Sequence, residues 1–222
     1  MIPIRDSIQT TDFPWVTSCI ISTCIVATIT CWFLPAPWQE TYIRTMCVMP
    51  ADYDPFPWDR PWEVYRFVTA IFIHRSPWHL TINMVFLKVF GESTEEAFGK
   101  YRFLCFYLLC GFLSYLFQVI FQMNASSFNM GSSGADAAVL GAYFVVSPRA
   151  RIMTFFPYRL PLFIYLPAFM FFGLWLFYQF WMGIVGKQGV AWWAHAWGFG
   201  LGIILRFVFI QGKRKKEKVI VW

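Results

Sequence analysis

The chain has 222 residues, of which 58% are hydrophobic, 22% aromatic and only 14% charged, with a formal net charge of +6. A soluble domain usually carries about 25% charged residues. This composition excludes an ordinary soluble enzyme and a nucleic-acid-binding module, and it fits one integral membrane domain over residues 1–222 with room for about six spans of ~20 residues.

Residues 16–34 carry no charge and form the first expected span. The apolar run is longer than the h-region of a signal peptide, about 7–15 residues, and Asp6 and Asp12 spoil a positive n-region, so it reads as an uncleaved helix. Residues 35–66 differ, with eight charged residues, six prolines and three tryptophans. A stretch this aromatic belongs at the headgroup level, as a long first loop on the membrane surface. Further spans are expected at about 78–90, 103–122, 133–146, 160–181 and 191–210. The fourth is short, so its start should lie below the membrane surface. The expected fold is an all-α polytopic membrane protein, a bundle of six transmembrane helices, followed by a basic tail at 211–222.

Lys and Arg favour the cytoplasmic side. Arg5, Lys100 and Arg102, the Arg149–Arg159 group and the tail "KRKKEK" alternate with loops poor in net positive charge. Both termini are therefore expected in the cytoplasm, and the "GSSG" bend before the fourth span opens outward. The tail reads as an orientation anchor, with anionic lipid as a secondary ligand. The six cysteines show neither disulfide spacing nor zinc-type pairing and read as small buried hydrophobes.

Ionisable groups within spans are costly and mark function. His195 begins the sixth span and shares a helix face with Gly198 and Gly202; Gly134, Ala138, Gly141 and Ala142 give the fourth span a matching small face. Packing these faces together would bring Ser133 to His195, the base that a serine nucleophile requires. On the second span His79 and Asn83 are four residues apart on one face, and with the Ser133 N–H they can form an oxyanion hole. Each feature has a plainer reading: helix packing for the glycines, a turn for the serines, a structural hydrogen bond or proton relay for His195, an interhelical clasp for His79 and Asn83.

Taken together, these residues resemble the rhomboid intramembrane serine proteases, of the compact six-span prokaryotic type. "YRFVTAIFIHRSPWHLTINMVFLKVFG" resembles the region with the HxxxN motif, here His79 and Asn83. "GSSGADAAVLGAY" matches GxSG, here Gly131, Ser133 and Gly134. "AHAWGFGLG" matches AHxxGxxxG, here Ala194, His195, Gly198 and Gly202. The resemblance implies a dyad of Ser133 as nucleophile and His195 as general base and acid, without metal or cofactor. It implies transmembrane protein substrates, cut near the extracytoplasmic side, and a bacterial cytoplasmic membrane. It also implies that span five and the loop before His195 form a substrate gate and cap.

Two departures stand out. Tyr65-Arg66 replaces a common Trp-Arg, and Asp136 occupies a position usually apolar. Asp136 reads either as a protonated or hydrogen-bonded packing residue, or as a third member reaching the dyad. Asn124 begins "NAS", an N-glycosylation pattern. The alternative functions are a non-proteolytic rhomboid-like protein that binds client helices, and a small-solute or proton channel using the histidines.

Overall fold

The computed structural model describes residues 1–53, 60–122, 125–157, 161–186 and 191–210, and the backbone of Lys218 and Val219. Asn124, Arg159, Lys187 and most of the basic tail lie outside the described residues. The elements run β1 (Ile2–Asp6), β2 (Ile8–Gln9), α1 (Trp15–Phe33), α2 (Ala36–Met46), the single-turn α3 (Arg66–Thr69), α4 (Pro77–Phe98), α5 (Lys100–Phe121), α6 (Ser133–Val146), β3 (Arg151–Pro157), β4 (Pro161–Pro167), α7 (Ala168–Val185), α8 (Trp192–Phe209) and β5 (Lys218–Val219). The fold is mostly helical. Helices α1, α5 and α7 are long and apolar enough to cross a membrane.

Helix α6 lies at the centre, against α4, α5, α7 and α8. Its side chains from Ala135 to Tyr143 are buried, and mostly small, so neighbouring backbones come close. Around it Tyr143 packs edge to face with Phe90 and Phe172, which are tilted against each other, with centroids 5.1–5.8 Å apart. Helix α7 faces outward along much of its length, exposing Phe169, Leu174, Phe177, Trp181 and Ile184.

Three expectations are corrected. The helix that carries the second expected span does not end near Phe90; α4 continues to Phe98. Its acidic end is a cap for another helix. Pro14 gives α1 no side-chain cap, and buried Glu95 accepts from Val16 N (3.0 Å), Thr17 N (2.8 Å) and Thr17 Oγ1 (2.8 Å) instead. The fifth helix begins at Ala168, because the apolar run before it is the strand β4. The chain is also not wholly α-helical: β1, β3 and β4 form an antiparallel sheet in the order β1-β3-β4. Register pairs include Asp6 with Ile152 and Thr154 with Ile164. Prolines at both ends of β4 favour an extended stretch over a continued helix. The first loop contains the amphipathic helix α2 and the ion pairs of Arg66 with Glu63 (3.0 Å) and Asp52 (3.7 Å).

Candidate active site

The turn that delivers the two serines to α6 is held by its backbone. Gly131 N donates to Ala70 O (2.9 Å), and Tyr115 Oη donates to Gly131 O (2.6 Å). Gly131 has φ +122°, a conformation that favours glycine, and a Cβ there would stand 2.6 Å from His79 Cε1. The same point is 3.5 Å from Asn83 Nδ2. The turn thus lies directly against the two α4 residues.

The small faces of α6 and α8 meet as their spacing suggested. A Cβ on Gly198 would collide with the Gly134 carbonyl, one on Gly202 with the Ala138 carbonyl, and one on Gly141 with the Phe199 carbonyl. Ser133 and Gly134 therefore lie beside the helix turn that carries Ala194 and His195. All three motif regions converge at the start of α6.

The two serines have different chemistry. Ser132 is fully buried. Its Oγ donates to Asp136 Oδ2 (2.7 Å) and also lies 3.2 Å from His74 Nε2, to which its N–H donates (3.3 Å). Tyr107 Oη donates to Asp136 Oδ1 (2.9 Å). His74 Nδ1 faces Thr28 Oγ1 (3.3 Å). Ser133 is only partly buried, and its hydroxyl takes no hydrogen-bond partner among the described residues. Ser133 is the first residue of α6, so its N–H has no acceptor within the helix.

Asn83 is buried, and its Nδ2 has no hydrogen-bond partner among the described residues. Such a donor costs about 1–3 kcal/mol when left unmade. His79 stands edge to face with His74, centroids 5.1 Å apart. His195 does not hydrogen-bond Ser133; its Nδ1 lies 2.7 Å from Gln179 Oε1 on α7. Trp175 stacks over the His195 ring at 6.2 Å and Trp192 meets its edge at 6.2 Å.

The family model described as "Rhomboid domain" matches residues 61–212, which include every motif residue above. The chain belongs to the rhomboid family. It is 34% identical over 80 residues to RHOMBOID-like protein 6, mitochondrial, of Arabidopsis thaliana, covering 36% of this chain and 25% of that protein. Inactive RHOMBOID-like protein 8 of the same plant is 34% identical over 82 residues, 36% of this chain and 23% of that protein. Rhomboid-like protease 3 of Toxoplasma gondii is 31% identical over 98 residues, 44% of this chain and 36% of that protein. The chain thus spans about a third or less of the length of these curated relatives.

Within this rhomboid chain Asp136 turns toward α5, not toward α8. Both of its oxygens are occupied, by Ser132 and Tyr107, and neither contacts His195. The sequence reading missed the partners His74, Tyr107 and Gln179. Gln179 had a signal, since it is the single amide in the otherwise apolar stretch "AFMFFGLWLFYQFWMGIV". Tyr107 had none, because an aromatic within an aromatic-rich span does not stand out.

Proposed function

We propose that the chain is an intramembrane serine endopeptidase that cleaves transmembrane segments of substrate proteins near the extracytoplasmic side. The observation that carries this reading is the buried Asn83 Nδ2, without a partner among the described residues, beside the turn that leads into Ser133. A buried donor without a protein partner suits an oxyanion that exists only during reaction.

Ser133 Oγ attacks the substrate carbonyl while His195 Nε2 takes the hydroxyl proton. The oxyanion is received by Asn83 Nδ2, by His79 and by the Ser133 N–H at the positive end of α6. His195 returns the proton to the leaving amine, and water then releases the acyl group. In this reading the helices α1, α4, α5, α6, α7 and α8 are six spans, both termini face the cytoplasm, and the host membrane is a bacterial cytoplasmic membrane. The other proposed reading, a non-proteolytic binder of client helices, has no use for a free Ser133 hydroxyl beside an unpaired amide.

The test is cleavage of a model transmembrane substrate by protein reconstituted in lipid. Wild type should cleave, Ser133→Ala and His195→Ala should not, and Ser132→Ala should retain cleavage. Turnover by either dyad variant at the wild-type rate contradicts the reading.

A further inference from the structure

We propose that Gln179 is a positioning residue for His195, fixing the tautomer and plane of the catalytic imidazole from a neighbouring helix. The inference rests on the protease reading above. Gln179 is one of few buried polar side chains on α7, 5% exposed on a helix whose other face is open. Its Oε1 stands 2.7 Å from His195 Nδ1.

An amide oxygen can only accept, so this contact requires the hydrogen on Nδ1. The lone pair is then on Nε2, the nitrogen that must take the serine proton. The amide NH₂, turned the other way, would place the lone pair on Nδ1 and leave Nε2 unable to act as base. Gln179 thus does part of what the aspartate of a three-residue system does, orienting the ring and choosing its tautomer. It does so without a charge, which suits a helix otherwise apolar. Asp136 cannot take this role, since both its oxygens are bound elsewhere. Trp175 and Trp192 complete the seat by holding the ring on its face and its edge. The glycine face below His195, against Gly134 and Ala138, keeps α8 at a fixed distance from the serine turn, so the ring's remaining freedom is rotation, and Gln179 removes it.

Partners that orient metal-bound histidines change affinity or activity by about 10–100-fold when removed, and an effect on that scale is expected for a partner that orients a catalytic imidazole. The experiment compares wild type, Gln179→Met and Gln179→Glu in proteoliposomes over a range of substrate mole fraction. Methionine keeps the length and removes the acceptor; glutamate keeps the acceptor. Gln179→Met should lower kcat by about 10–100-fold with KM within about twofold, and Gln179→Glu should recover most of kcat. A packing clasp predicts otherwise: equal losses in both variants, or a change in KM alone, overturns the proposal, as does wild-type kcat in Gln179→Met. A second measurement does not depend on how the variants fold. Nitrogen-15 spectra of the histidines in lipid, assigned by omission of His195, should show Nδ1–H at His195 in otherwise wild-type protein. An Nε2–H tautomer overturns the proposal. If the wild type cleaves nothing, the protease reading fails, and the tautomer is still measured.

Discussion

Asp136 is a carboxyl group placed in the middle of a helix bundle, and its two neighbours explain how it is tolerated. Buried polar groups are costly unless hydrogen-bonded, and here Ser132 and Tyr107 take both oxygens. The arrangement also keeps Ser132 away from a substrate, because its hydroxyl is held between Asp136 and His74 and its surface is fully covered. Asp136→Ala would leave the Tyr107 hydroxyl unpaired and Ser132 Oγ with His74 Nε2 alone, 3.2 Å away. It should cost about 1–3 kcal/mol of stability, the range for one buried unsatisfied group, whereas Asp136→Asn should cost less. Reversible unfolding in mixed micelles measures both, and an unchanged Asp136→Ala would refute the network. At this scale the sequence was half legible. The Ser132–Asp136 spacing of four residues is visible on a helix, but Tyr107 and His74 come from other parts of the chain. Only tertiary packing identifies them.

Helices α6 and α8 are joined by backbone-to-backbone contact. At Gly198 and Gly202 an added Cβ meets a carbonyl of α6, a group that cannot rotate away as a side chain can. Overpacking costs typically ~1–3 kcal/mol where side chains can yield, and more is expected where they cannot. Gly202→Val should therefore separate the two helices and abolish cleavage, with a clear loss of thermal stability. Gly200→Ala is the internal control: it lies on the same helix with nothing within 4 Å of the added carbon, and should behave as wild type. Loss of activity in Gly200→Ala, or tolerance of Gly202→Val, would contradict the packing. The i, i+4 spacing of glycines made this interface readable in advance, because close approach needs small residues whatever else surrounds them. The ends of elements were less readable. Glu95 and Glu96 resembled the close of a span, yet they extend α4, since their charge is met by α1 and Thr11. Residues 161–167 were apolar enough for a helix, and a short apolar run does not by itself separate a strand from one.

Across the whole molecule, the N-terminal strand ties the sheet to the helices through Asp6. Ser93 Oγ on α4 (3.0 Å) and Tyr143 Oη on α6 (2.6 Å) both donate to Asp6 Oδ2. Burial pushes the Asp6 carboxyl from 3.8 up to about 6, opposed by those hydrogen bonds and aided by nearby Glu92. The folded protein therefore keeps a proton that the unfolded chain has released. The stability from Asp6 is complete below about pH 4 and is lost as pH rises through about 6. At pH 7.5 Asp6→Asn should be more stable than wild type, by at most about 2–3 kcal/mol, and at pH 4 the two should match. Unfolding midpoints in detergent across this range measure the difference; a gap that is constant with pH would refute the shift.

The central claim is that Ser133, not its neighbour Ser132, is the nucleophile and that His195 activates it. The most direct measurement is labelling of the reconstituted protein with a fluorophosphonate, followed by peptide mapping of the adduct in wild type and His195→Ala. The expected result is an adduct on Ser133 that disappears in His195→Ala. An adduct on Ser132, or labelling of Ser133 that is indifferent to His195, would contradict it.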